Sequence, residues 1–163
     1  MKSSRQKVRF TTPLQRKDPR LPVYVVIPGA RLKPWSLTGT TVIEGSANGV
    51  AIGRRNIKAW GKGSDDWFVE FTAPFCKTAR LAVGDEVALE LQLADASTPP
   101  ELETLLTGNQ RLAAAWQALS ESARRDACEQ VRAAKNEATR QRRAATLAAK
   151  LLVALPKRFA ATP

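Results

Sequence analysis

Histidine is absent from this chain of 163 residues. That removes the commonest general base, the Ser-His and Cys-His dyads, and the usual metal-ligand clusters. Cysteine is scarce as well. Cys76 and Cys128 lie far apart in segments of different type, which favours two inert thiols in a reducing compartment over a bridge. Two distant thiols without imidazoles cannot close a tetrahedral site, so neither metal nor cofactor is expected. An enzyme built from these residues would have to use carboxylates, lysine or the single tyrosine, Tyr24. Long apolar runs are also missing. The longest, such as Val23 to Ile27 and Leu151 to Leu155, have five residues each, far short of the roughly 20 that a spanning helix needs. Met1-Lys2-Ser3-Ser4-Arg5 is basic with no apolar stretch behind it, so no signal peptide is expected. These absences point to a cytoplasmic, non-enzymatic protein.

What is present is enough for a core and an excess of positive charge. Hydrophobic residues make up 44% of the chain, which suits one domain or a compact domain with a helical appendage. The net charge of +11 is uneven. Residues 1–20 carry seven Lys/Arg against one acid, residues 21–95 eight of each sign, and residues 124–163 ten bases against three acids. Basic ends around a neutral middle point to an anionic partner, such as an acidic protein, nucleic acid or a membrane surface. A solvated basic face is the plainer alternative.

Residues 8–95 read as a β domain. Val8, Phe10, Thr12 and Leu14 alternate with Arg9 and Thr11, and Pro13 places that strand at an edge or ends it early. Val23 to Ile27 stops at Pro28-Gly29. Thr40 to Glu44 and Val50 to Ile57 flank Asn48-Gly49, a pair that tolerates the positive φ angles of a tight hairpin. Trp67 to Phe71 and Glu86 to Leu93 complete about six short strands, which predicts a small closed or nearly closed barrel. Gly45, Gly49 and Gly53 mark turns and bulges. Gly61-Lys62-Gly63-Ser64 lacks the residue order of a phosphate loop and reads as a turn. The neighbouring carboxylates Asp65-Asp66 and Asp85-Glu86 also read as turn formers, because catalytic pairs need separate positions facing one substrate.

Residues 98–155 read as three to four helices, with basic tails expected at 1–7 and 156–163. Thr98-Pro99-Pro100-Glu101 predicts a capping box for a helix ending at Gly108. Asn109 and Ser120 are expected to cap the second and third helices. On the third, Ala123, Ala127, Val131, Ala134 and Ala138 form one apolar stripe. Asn136 marks a break, with two helices meeting near residues 135–137. Arg132 and Arg143 lie off that stripe, so reversing both charges is expected to spare the fold.

The pattern Leu119-Ser120-x-Ser122-x-Arg124-Arg125, then Ala134-Lys135, then Thr139-Arg140-x-x-Arg143, resembles the YdeI/OmpD-associated family, also called bacteriocin-protection proteins. Pro100, Leu102, Leu106, Asn109, Ala115 and Trp116 extend the likeness over residues 99–152. Where relatives tend to carry bulky aromatics this chain has Ala127 and Gln130. Phe10, Val25-Val26-Ile27-Pro28, Asn48-Gly49 and Val83-Gly84-Asp85-x-Val87 resemble the small barrel domain that often precedes these helices. The resemblance implies an α+β protein, a double-split-type β-barrel followed by helices. It also implies a bacterial role in protection against bacteriocins or antimicrobial peptides and envelope stress.

Two sets of residues are candidates for binding. The helical set is Arg124, Arg125, Arg132, Lys135, Thr139, Arg140 and Arg143, with Arg142 beside them. It reads as an anion or partner site, as a structural tie in which Lys135 or Arg140 anchors the helices, or as a solvated face with local ion pairs such as Asp126 with nearby arginines. The second set is Arg54, Arg55, Lys58, Trp60 and Lys62, where an aromatic face among cations suits single-stranded nucleic acid. The plainer expectation for the tryptophans is that Trp67 and Trp116 fill the core while Trp35 and Trp60 cover barrel ends.

Overall fold

The computed structural model describes residues 6–154 and divides into two compact units, residues 1–95 and 96–163. Apart from Gln6 and Lys7, the basic tails lie outside the described residues. The first unit contains β1 (Val8–Pro13), β2 (Val23–Ile27), α1 (Gly29–Leu32), β3 (Thr41–Ala47), β4 (Val50–Ala51), β5 (Arg55–Ala59), β6 (Trp67–Phe71), α2 (Ala73–Ala79) and β7 (Glu86–Leu93). Its strands pair antiparallel in the order β1-β7-β3-β5-β6-β2, with β4 attached to β3. Gln15 and Tyr24 exchange two backbone hydrogen bonds of 2.9 Å, bringing the chain after β1 against β2. The sheet is therefore a nearly closed barrel, and the whole is α+β.

Alternation explains which side chains fill it. Val23, Val25 and Ile27 of β2, Val69 and Phe71 of β6, and Val87, Leu89 and Leu91 of β7 are all buried. Thr12 is buried in the same row as Leu14, and its hydroxyl donates to the Val26 carbonyl at 3.0 Å. Asn48 and Gly49 take φ of 48° and 78° between β3 and β4, as the hairpin requires.

Three details depart from the expected pattern. Val50 to Ile57 is not one strand, because Gly53, at φ 68°, turns the chain between β4 and β5. The helix α2 arises among strand signals because Thr72 accepts from the Phe75 amide at 3.3 Å and Pro74 sits in the first turn. Trp35 is buried, its indole N–H donating to the Gln6 carbonyl at 2.9 Å, while Trp67 is only half-buried. Local spacing does not reveal which tryptophan finds a buried acceptor.

The second unit contains α3 (Pro100–Thr107), α4 (Gln110–Ala118), α5 (Glu121–Arg132) and α6 (Glu137–Ala154). Leu102, Trp116, Ala127, Cys128, Val131 and Ala144 form its core, and α6 packs against each of the other three. Asn109 caps α4 through Leu112 N, Ser120 caps α5 through Ala123 N, and Asn136 accepts from Thr139 N at the start of α6. Thr98 does not cap α3. Pro99 takes the cap position without a side-chain bond and Pro100 opens the helix, leaving Thr98 one residue too early. The apolar stripe ends at Ala134, since α5 stops at Arg132 and Ala138, on the next helix, is exposed. No helix among the described residues is long and apolar enough to cross a membrane.

Candidate anion-binding site

One arginine of α6 completes the end of α5, and a second ties down the turn that follows it. A helix leaves its last carbonyls without intrahelical donors. Arg143 Nη1 donates to the Gln130 carbonyl at 2.8 Å, and Arg140 Nη1 reaches the carbonyls of Ala134 at 3.4 Å and Lys135 at 3.3 Å. Both cations also oppose the negative end of the α5 dipole. Arg140 Nε donates to Glu101 Oε1 at 2.8 Å, tying α6 to α3. This pair is largely buried, with the Glu101 side chain 11% exposed and that of Arg140 30%. The Arg140 guanidinium holds the Glu101 carboxyl below its ordinary value of 4.5. Arg132 pairs with Glu129 at 3.0 Å and also donates to the Ser97 carbonyl. The acids that engage this cluster are thus Glu129 and Glu101 rather than Asp126. The expectation that Arg132 and Arg143 lie clear of the fold is corrected, because each satisfies a backbone carbonyl.

The remaining members are less committed. Arg124 donates to Gln117 Oε1 at 3.1 Å and Arg125 to Ser122 Oγ at 3.2 Å, both local bonds. Lys135 is exposed in the α5–α6 turn, and Thr139 serves through its amide and through a long bond from Arg142. The structure therefore distributes the seven predicted residues over α5, the turn after it and α6 rather than around one groove.

A different grouping lines a single groove. A groove of about 430 Å³ lies between α5 and α6. Gln130 and Ala133 of α5 line one part of it, and Arg142, Arg143, Thr146, Leu147 and Lys150 of α6 the rest. Arg142, Thr146 and Lys150 recur every four residues, and Arg143 and Leu147 share that period beside them, so one helical face carries all five. None of the described lining residues is acidic. Glu137 is engaged by Gln141 and Glu129 by Arg132. Of the seven predicted positions only Arg143 lines the groove; Thr146 and Lys150 were missed. The four-residue spacing along α6 is the signal that would have found them.

The predicted patch on the first unit also divides. On β5 and beyond, Lys58 and Trp60 project outward, whereas Arg55 turns the other way. Its guanidinium lies 5.5 Å from the Phe71 ring centre and 5.1 Å from that of Phe75, and Nε donates to the Ile52 carbonyl. Burial there lowers the Arg55 pKa and raises that of the nearby Cys76 thiol. Arg54 donates to the Asp95 carbonyl at 2.7 Å, and Lys62 is exposed on the following turn. Trp60 instead joins Tyr24 and Phe68, with ring centres 5.4 and 5.7 Å away, and Lys58 lies 6.0 Å from the Phe68 ring. Trp60 is 41% exposed. Tyr24 and Phe68 were missed, although both alternate with buried neighbours along their strands.

Among the described residues no cluster of His, Cys, Asp or Glu could hold a metal, and Cys76 and Cys128 are thiols. No curated protein and no solved structure matches the chain. A family model described as bacteriocin-protection, YdeI or OmpD-associated matches residues 95–152, a span that takes in all of α3, α4 and α5 and most of α6. The helices that build the groove thus lie in the part of the chain that is similar to the YdeI/OmpD-associated, bacteriocin-protection family.

Proposed function

We propose that this protein is a non-enzymatic, cytoplasmic binding protein that protects a bacterial cell against bacteriocins or antimicrobial peptides by engaging an anionic partner. The family of its helical domain supports the protective role. The observation that carries the mechanism is the α5–α6 groove, which collects Arg142, Arg143 and Lys150 with no acid among its described lining residues. Direct capture of a cationic peptide is disfavoured, since a chain of net charge +11 repels it at long range. Protection then works on an anionic cellular component. Arg142 and Lys150 are exposed and bond no backbone carbonyl among the described residues, so Arg142→Glu with Lys150→Glu is expected to fold as the wild type does. A strain expressing this variant should lose protection in a bacteriocin challenge. Full protection by the folded variant, or tight binding of a cationic peptide to the wild type, would count against the proposal.

The exposed ring cluster supports a second reading, a nucleic-acid-binding module on the barrel. Tyr24, Trp60 and Phe68 offer ring surface beside Lys58, and stacking on such rings contributes about 1–3 kcal/mol per base. Single-stranded oligonucleotides should bind at low salt, weaken steeply as salt is added, and lose affinity with Trp60→Ala. Absence of binding at low salt would remove this reading.

A further inference from the structure

We infer that the α5–α6 groove recognises a phosphate group carrying two or more negative charges, an inference that rests on the anion-binding role proposed above. Charge count is the first argument. Arg142, Arg143 and Lys150 bring three cations to a groove with no acid among its described lining residues, and a single carboxylate would offset only one of them. Donor geometry is the second. Arg143 is held by the Gln130 carbonyl at 2.8 Å, and Arg142 by the Thr139 hydroxyl at 3.4 Å. Each bond uses one N–H of a planar fork, fixing its orientation while the other donors stay available. Two forks and an ammonium line the same groove. That arrangement suits the tetrahedral oxygens of phosphate better than the two coplanar oxygens of a carboxylate. Preorientation of this kind reduces the ordering cost of binding. Thr146 adds little, because its hydroxyl already donates to the Arg142 carbonyl at 2.9 Å. Leu147 and Ala133 give the groove an apolar portion, and its 430 Å³ exceeds what phosphate alone would fill. The ligand therefore carries an organic portion beyond the phosphate.

The test compares anions of similar charge on the full chain. Pyrophosphate and citrate would be titrated calorimetrically at low salt, against the wild type and against Arg142→Ala with Lys150→Ala. Pyrophosphate should bind about tenfold more tightly than citrate, and the double variant should lose that preference. Vesicles of phosphatidylcholine with and without phosphatidic acid form a further arm. Variant-sensitive capture by the acidic vesicles assigns the phosphate to a lipid, and capture by neither assigns it to a soluble ligand. Equal affinity for citrate and pyrophosphate overturns the phosphate inference while leaving an anion site. Failure of both anions to bind overturns the inference and the proposed site together. Wild-type affinity in the double variant places any binding elsewhere and also overturns the inference.

Discussion

Arg140→Ala is expected to destabilise the helical unit by about 3 kcal/mol, the scale for removing one partner of a largely buried ion pair. The substitution strands the Glu101 carboxylate, whose Oε2 is already buried without a hydrogen-bond partner among the described residues. It also uncovers the Ala134 and Lys135 carbonyls in the turn after α5. Thermal unfolding followed by far-ultraviolet circular dichroism would measure the loss. Acid supplies a control on the cause. In the wild type Glu101 has its pKa lowered on folding, so the stability it contributes is complete above the ordinary value of 4.5 and is lost as pH falls through the depressed one. The variant lacks the main lowering partner, which leaves only the Glu101 backbone hydrogen bond against the burial that favours the protonated acid. The two stability curves should therefore converge as pH falls. An Arg140→Ala protein with unchanged stability at neutral pH would show that the pair contributes nothing.

Gly45→Ala is expected to disrupt the barrel, with a loss of about 3 kcal/mol or more, among the large effects of single substitutions. Gly45 holds φ at 148°, a backbone conformation that side chains disfavour. A Cβ there would lie 1.9 Å from the Glu90 carbonyl oxygen on the neighbouring strand. Relief requires β3 and β7 to separate at the Gly45–Leu91 pair. The position is special because β3 changes partner around it. Thr41 to Ile43 pair with β5, and Ser46 and Ala47 pair with β4. The variant should unfold at lower denaturant concentration, and Gly49→Ala, where open space surrounds the new Cβ, should cost less. Equal losses at the two positions would remove the steric account.

Much of the architecture was legible because it is written in local chemistry. Val23, Val25 and Ile27 alternate, Asn48-Gly49 accepts positive φ, and Asn109, Ser120 and Asn136 each reach an amide three residues on. Where a rule needed one further residue, the reading slipped. Two successive prolines moved the start of α3 past Thr98, and Gly53 split a strand that reads as continuous. The site was less legible for a different reason. Arginine type and helical face were evident, but whether a guanidinium meets a distant carbonyl depends on the packing of another helix. Arg132, Arg140 and Arg143 are thereby fixed by Ser97, Glu101, Ala134 and Gln130. Lys150 and Thr146 fall outside the recognised motif and were passed over.

The loan of α6 arginines to the carbonyls of α5 bears on the order in which the chain matures. With 12 residues, α5 is at the length where an isolated helix is marginal in water. Its N-terminal end is closed by Ser120, which leaves the ribosome before the helix does. Its C-terminal end waits for Arg143, and the turn after it for Arg140, both synthesised later. The nascent helix therefore stays frayed at one end until the first two turns of α6 have emerged and folded back. Maturation of α5 and α6 is then a single event, and a chain stalled before Arg140 holds no finished helix at this position.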